Sequence, residues 1–526
     1  MKTRMLAVTL LSFIVAGSAF AQFKRISASE YAKSPARVAA LKRAVAAMKA
    51  RNSQSNTSKA YRTSWAYWAA THGYFGSGPN SSGPASAFKA QASSSCAGLT
   101  PNSRFQTCVS YYTHVANTPV PNDGGITLNV WGMCQHSDPN DGPSQANMQF
   151  FTWHRMYLKY FERVLRKSSG DPNFTLPYWN YPDDVGPRGT GIALPTMVRG
   201  TTSNTLVDQF RTPGLNANTT AISSSTGSAQ QAFDFTDFRN FSFALEMQPH
   251  GSMHCGTGFG CQAPDIGIVP VAGLDPVFYM HHTNIDRLFQ CWLTRKANGQ
   301  PITLAWAKAN LGMDAAFFNQ KWNFVDENGD PVSMTVSQLF EPGGIDYVYD
   351  KVTDCVPRRI TPEAVAAPVR PAANEEDQTL RGQPLSVGLS PITLEAPEAP
   401  MPDGLNIESG RTVLLIEDVK VTGSPSVTYD IFISRKDAPD RKTYVATINY
   451  FNIIVPHHAG HTDASGPRGH KLLFYDVTDE LAEIGANAST DISVDFVPTR
   501  SVEEEATVSS SAGTVTVGAV RLRVVP

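Results

Sequence analysis

The clearest apolar repeat lies near the front of the chain. Between Pro35 and Ala50, the residues Val38, Leu41, Val45 and Met48 recur at the three- and four-residue spacing of one helix face. The run Ser64-Trp-Ala-Tyr-Trp-Ala-Ala-Thr-His72-Gly73 predicts a short aromatic helix ended by glycine. A third helix is expected from Phe150 to about Arg166. A fourth opens at Asp275-Pro276, where aspartate suits the N-cap and proline the first helical position. Beyond residue 411 the pattern changes to β-branched runs between turn clusters: Val413–Val421, Tyr429–Ser434, Tyr444–Phe451, Leu472–Val477, Ile492–Val497, Val515–Val517 and Val520–Val525. Such runs predict a β-sandwich. Residues 357–404, rich in Pro, Ala and Glu and without periodicity, read as a linker. The expected fold is therefore α+β and multidomain: a mainly α-helical domain over 22–355, a linker over 356–410 and an all-β sandwich over 411–526.

The N-terminus reads as a targeting segment. Lys2 and Arg4 precede an apolar run from Met5 to Val15, and Ala19-Phe20-Ala21 offers a cleavage site. Residues 1–21 are thus expected to be a signal peptide, with the product periplasmic or secreted. The apolar run is too short for a membrane anchor. With 41% hydrophobic and 17% charged residues, the 526-residue chain suits globular domains. A net charge of −2 without a basic patch argues against nucleic acid as a partner. In an exported protein the seven cysteines read first as disulfides, with one left over.

The chemistry concentrates between Glu246 and Asp286. His250 and His254 are four apart, which on a helix sets both rings on one face about 6 Å apart. His281 and His282 come one turn into the helix that Asp275 opens. Asp286, four beyond His282, is placed to orient a ring or to pair with Arg287. Three neutral imidazoles suit copper, zinc, iron or nickel. Two Gly/Ser-rich stretches, 76–130 and 187–235, read as long loops.

His250-x-x-x-His254, followed by Asp275-Pro-Val-Phe-Tyr-Met-His-His-Thr-Asn-Ile-Asp286, resembles the second copper half-site of the type 3 copper proteins. That family holds tyrosinases, catechol oxidases and molluscan haemocyanins. Phe150-Phe-Thr-Trp-His154-Arg-Met-Tyr-Leu-Lys-Tyr-Phe-Glu162 resembles its first half-site. The resemblance implies two copper ions in a dinuclear centre within a four-helix bundle, with O2 as co-substrate and small phenols as substrates. His72, in a similar Trp-rich context, is implied as the first ligand, with His114 as the alternative. His154 would be the third. The family's intervening histidine, nine residues earlier, is Gln145 here, so the second ligand is placed at His136. Cys134-x-His136 resembles the spacing of a cysteine–histidine thioether in fungal tyrosinases, which would use up the odd cysteine. Cys96 then pairs with Cys108 and Cys255 with Cys261, leaving Cys291 with Cys355. The second copper would take His250, His254 and His282.

The same resemblance assigns roles near the metals. Glu246, four before His250, stands where relatives carry a glutamate that orients a water for monophenols. Gly251 stands where they carry an asparagine that helps it. Val269 takes the gate position, small where some catechol oxidases have phenylalanine. The Leu176-Pro-Tyr-Trp-Asn-Tyr-Pro motif and Tyr347-Val-Tyr349 are read as packing. The C-terminal domain resembles that of latent plant-type polyphenol oxidases, where it covers the copper mouth. Its loop from Val455 to Thr462, with His470, is the expected plug. The function implied is a tyrosinase that hydroxylates monophenols and oxidises o-diphenols to o-quinones. The alternatives are a catechol oxidase and a haemocyanin-like O2 carrier.

Overall fold

The computed structural model describes residues 23–72, 148–356, 383–384, 392–394, 410–422, 428–449, 471–498 and 514–524, apart from 190, 260, 262–264, 268, 354 and 488–489. Helix α1 (Pro35–Ala50) forms where its repeat predicts it, with Pro35 leading and the Ser34 hydroxyl capping the Arg37 amide. Helix α2 (Trp65–His72) follows. Helix α1 buries Leu41, Val45 and Met48 and packs on α3 (Phe150–Ser169), which ends at a left-handed Gly170. Helix α4 (Phe238–Leu245) runs through a kinked segment, Glu246–Gly251, into α5 (Ser252–Thr257). Extended backbone at Gln248 makes the kink. Helix α6 (Val277–Ala297) packs against α3. The N-cap is Pro276, one residue later than expected, and the first helical amide, Val277, donates to Asp275 Oδ1 at 2.8 Å.

Asp275 is held in turn by Arg211, at 2.6 and 2.8 Å. Arg211 belongs to the 187–235 stretch, and that stretch is not the surface excursion its composition suggests. Leu206, Arg211, Ile222 and Phe233 are buried. Arg211 alone donates to the Val198 and Leu206 carbonyls.

Strand β1 (Phe23–Arg25), a hairpin of β2 (Lys321–Val325) and β3 (Pro331–Thr335), and β4 (Tyr347–Tyr349) complete the helical domain. Strands β1 and β4 pair in parallel, and this brings Arg25 inside. Arg25 donates to Glu162 at 2.8 Å and to the Tyr349 hydroxyl at 2.9 Å, and its guanidinium lies 3.6 Å from Asp286. Asp286 neither orients a ring nor pairs with Arg287. It accepts from Arg155 at 2.6 Å, from Tyr347 at 2.7 Å and from Tyr349 at 2.6 Å. Arg287 turns away to Asn284 and Asn180. Tyr347 and Tyr349, expected only to pack, are hydrogen-bond donors to a buried carboxylate.

The C-terminal region folds as two facing sheets. Strands β5 (Gln383–Pro384) and β6 (Ile392–Leu394) come first, then β7 (Thr412–Thr422), β8 (Tyr429–Arg435) and β9 (Ala438–Ile448). After them come β10 (Lys471–Asp476), β11 (Ile492–Pro498), β12 (Thr514–Val517) and β13 (Ala519–Val524). One sheet has the order β10-β7-β12-β5, with β13 also on β7, and the other β6-β11-β8-β9. Leu414, Ile416, Ile431, Ile433, Val494 and Val515 fill the space between them. The linker boundary moves. Strands β5 and β6 lie within the stretch read as linker and pair with β12 and β11. Two or three residues are too few to show alternation in a proline-rich background. Strand β9 starts earlier than expected because it is an edge strand, and its first half is exposed and polar.

The two domains share one core. Phe474 stacks on Phe243 at 5.3 Å and meets Phe235, and Val413 and Leu415 join the same cluster. Disulfides join Cys255 to Cys261 and Cys291 to Cys355, as paired above. Cys96, Cys108, Cys134, the 455–462 loop and His470 lie outside the described residues. Among the described residues, no helix is long and apolar enough to cross a membrane.

Burial alone would raise the Asp286 carboxyl, but Arg155, Arg25 and the two tyrosine hydroxyls outweigh it and hold it below the usual carboxylate range. Asp286→Ala is therefore expected to cost about 3–5 kcal/mol by stranding buried arginines, and Tyr349→Phe about 1–3 kcal/mol, both read by urea unfolding of metal-free protein. A carboxyl held low stabilises above its unfolded value and loses that stabilisation as pH falls through its folded one. The wild-type advantage over Asp286→Asn should accordingly shrink below about pH 4. An equal advantage at all pH would contradict this.

Candidate metal centre

Among the described residues six histidine side chains converge in the helical domain: His72 at the end of α2, His154 on α3, His250 in the kinked segment, His254 on α5, and His281 and His282 on α6. All are buried, none more than 2% exposed. Ring nitrogens of His72, His154 and His282 lie within 4.8 Å of one another, as do those of His250, His254, His281 and His282. The ring centroids of His154 and His282 stack at 4.5 Å, and His282 Nε2 is 3.2 Å from His254 Nε2. His282 thus joins the two groups. His136, Cys134 and the alternative ligand His114 lie outside the described residues.

Backbone carbonyls select the nitrogen each ring offers. His154 Nδ1 donates to the Phe150 carbonyl at 2.7 Å, His250 Nδ1 to Glu246 at 3.0 Å and His254 Nδ1 to Ile266 at 2.6 Å. A carbonyl only accepts, so in each ring Nδ1 carries the proton and Nε2 carries the lone pair that binds metal. Two of these bonds reach four residues back, the His154 bond along helical backbone and the His250 bond across the kink at Gln248. The third depends on the 255–266 loop, which the Cys255–Cys261 disulfide closes. Gly258 and Gly267 touch there, and a Cβ on Gly258 would overlap the Gly267 backbone.

A phenylalanine stands four residues before a ring on each long helix. Phe150 packs on His154 and His250, at 4.6 and 4.7 Å between centroids. Phe278 packs on His282 and His72, at 4.1 and 4.7 Å. These walls keep water off the rings, and burial depresses every imidazole whose shift is resolved. His154 falls to about 3, against burial-opposing contributions from the Phe150 carbonyl and Asp286. His250, His254, His281 and His282 lie well below the ordinary value, again chiefly through burial. These five rings are neutral at pH 7. Among the described residues both groups consist of histidine. Neutral all-imidazole sets suit copper among biological metals and disfavour calcium or magnesium. The cluster fits a dinuclear copper centre.

Sequence reasoning passed over His281 and Tyr181. The Tyr181 hydroxyl lies 2.8 Å from His281 Nδ1, so the aromatic motif after α3 reaches the site instead of only packing. The Phe-x-x-x-His spacing, shared by Phe150–His154 and Phe278–His282, was the readable signal for the two walls. Glu246 is fully buried, and its carbonyl is the His250 acceptor. Gly251 closes the kinked segment. Val269 opens a 3-10 turn, Val269–Leu274, that packs on α2.

The profile of the common central domain of tyrosinase matches residues 62–219 and 195–295. A tyrosinase of Hahella sp. (strain CCB-MM4) is 26% identical over 380 residues, covering 65% of this chain and 74% of that protein. A chloroplastic polyphenol oxidase of Malus domestica is 26% identical over 403 residues, covering 66% of this chain and 64% of its own length. Among solved structures, a latent aurone synthase described as a polyphenol oxidase superposes with a TM-score of 0.56 at 18% identity, over 96% of this chain and 89% of that one. Latent apple tyrosinase gives 0.52 at 18% identity, over 96% and 97%. The shared fold includes the helical core and the β domain.

Neutral buried imidazoles make the metal-free protein acid-labile. Each ring with a depressed folded value binds a proton more readily once unfolded, so stability is complete above about pH 6.5 and falls as pH drops toward the folded values. Urea unfolding of metal-free protein should therefore weaken between about pH 6.5 and 4.5, by up to about 1.4 kcal/mol per pH unit per ring. A flat profile over that range would show that the rings are not buried together.

Proposed function

The chain belongs to the tyrosinase and polyphenol oxidase family, and on that premise we propose that it is an exported, latent tyrosinase. It would hydroxylate monophenols at the ortho position and oxidise o-diphenols to o-quinones with O2. The observation that carries this reading is the convergence of six buried histidine rings, with Nε2 selected as donor in three of them. His72, His136 and His154 would hold one copper, and His250, His254 and His282 the other. A bound cuprous pair supplies the electrons that let O2 act as oxidant of phenols. The protein's own share is to hold the donors, exclude water and manage protons. Two o-diphenols give up four electrons and four protons as one O2 becomes two waters.

Phe150 and Phe278 supply the apolar walls against which an aromatic ring would stack. Glu246 is our candidate for taking the phenolic proton, either directly or through a water. Val269 is the candidate gate. A catechol oxidase is the second reading. It is favoured by Gly251, which lacks the carboxamide that relatives carry beside the first histidine of the second copper. The β domain docks against the segment bearing His250, which supports a shielding role.

His281 shares the second ring group, and its Tyr181 contact leaves a nitrogen facing His254 and His282. Metal analysis separates the roles. His282→Ala should lower copper well below two per chain, whereas His281→Ala with a retained fold should keep it near two. The reverse pattern would exchange the two residues.

The deciding experiment is oxygen uptake by copper-loaded protein, cut between 357 and 382, upstream of β5, with tyrosine and with a catechol. Cutting should raise catechol turnover. Unchanged turnover after clean domain separation would defeat latency, and absence of turnover with both substrates would defeat the oxidase reading. Glu246→Gln should cut tyrosine turnover by about 10²-fold or more while lowering catechol turnover less. Equal losses would move Glu246 out of the proton role.

A further inference from the structure

The turn that leads into His250 is gripped from the other domain. The Thr447 amide donates to Gln248 Oε1 at 2.8 Å, and Gln248 Nε2 donates to the Tyr444 hydroxyl at 2.6 Å. Asn449 Nδ2 donates to the Met247 carbonyl at 2.7 Å. All three gripping residues lie along β9 or just past its end, on the edge strand of their sheet. That edge is covered here by the catalytic domain instead of by solvent.

The contact at Gly251 is the most specific. Its φ of −62° and ψ of −37° are ordinary helix, so the backbone does not require glycine there. Glycine within helical backbone costs stability relative to alanine. What stands in the way of a side chain is Asn449. A Cβ at 251 would lie 2.7 Å from Asn449 Oδ1 and 3.2 and 3.3 Å from the carboxamide carbon and nitrogen. The carboxamide from the β domain fills the volume that a side chain at 251 would take. Asn449 is itself 4% exposed.

We propose that Asn449 is a positioning residue for His250: its carboxamide seats in the gap at Gly251 and, with Gln248, fixes the turn from which the His250 ring projects. The β domain is then part of the metal-site scaffold as well as a cover. This deepens the shielding reading and rests on it. His250 follows Gln248 by two residues and precedes Gly251 by one, so movement of either side of the turn moves the ring. The residue after the ring needs no side chain of its own, because the neighbouring domain brings one.

The test is a double-mutant cycle in the full-length copper-loaded chain, using Gly251→Ala, Asn449→Ala and the pair, with linker cleavage afterwards. Gly251→Ala alone should weaken association of the cut halves by about tenfold or more, from overpacking. Adding Asn449→Ala should recover most of that loss, because the methyl then occupies the vacated space. Strictly additive effects would overturn the interlock. The second readout is copper release from uncut protein to a chelator. Asn449→Ala should speed the loss of one of the two coppers by about tenfold, as removal of a group that orients a ligand does. Release unchanged from wild type would overturn the positioning role even if the halves part more easily. Should Gly251→Ala fail to fold, folding of the double variant supports the interlock, and if neither folds the release rate of Asn449→Ala decides. Catechol turnover before and after cutting reports on shielding separately, so the two proposals fail on different measurements.

Discussion

A single buried carboxylate holds the helical domain in register. Asp286 takes hydrogen bonds from Arg155 on α3 and from Tyr347 and Tyr349 on β4, with Arg25 of β1 alongside. Arg155 follows His154 directly and Asp286 lies one helical turn after His282, so this ion pair fixes the two rings that stack at 4.5 Å. Glu162, one to two turns further along α3, takes Arg25 and Arg166 and extends the grip. Each charge here has a partner and each tyrosine hydroxyl an acceptor, the condition under which burying ions does not undo a fold. The network also explains why a three-residue strand at the front of the chain is needed far from the front: β1 carries the arginine.

The site above that network is made by neutralising and aiming imidazoles. Aromatic walls and depth remove the charge, and backbone carbonyls remove the choice of nitrogen. No carboxylate is used to orient a described ring. That arrangement keeps negative charge away from the donors and leaves whatever metal binds to carry the positive charge of the cavity.

The helices and the histidine spacing were legible because they are local. Pro35–Ala50 shows its face within its own residues, and Asp275-Pro276 announces the start of α6. The strands beyond 411 were legible in the same way. What was not legible depended on partners far away in the chain. Asp286 has two natural neighbours in sequence, a histidine and an arginine, and uses neither. Tyr181, Tyr347 and Tyr349 look like core aromatics until their hydroxyls find partners 61 to 100 residues distant. The short strands β5 and β6 exist only because longer strands offer them an edge. Gly251 reads as a deficiency until Asn449 is seen to lie against it.

The Cys291–Cys355 disulfide ties the last turns of α6 to the residue where the catalytic domain gives way to the connecting stretch. Its position gives the domain a defined stopping point. Exopeptidases working back from a nick in the connector would meet a covalent staple before they reached the Tyr347–Tyr349 strand. Chains nicked by different proteases, with ragged tails of different lengths, would therefore converge on one helical core. Cleavage in the connector need not be sequence-specific to leave a uniform product.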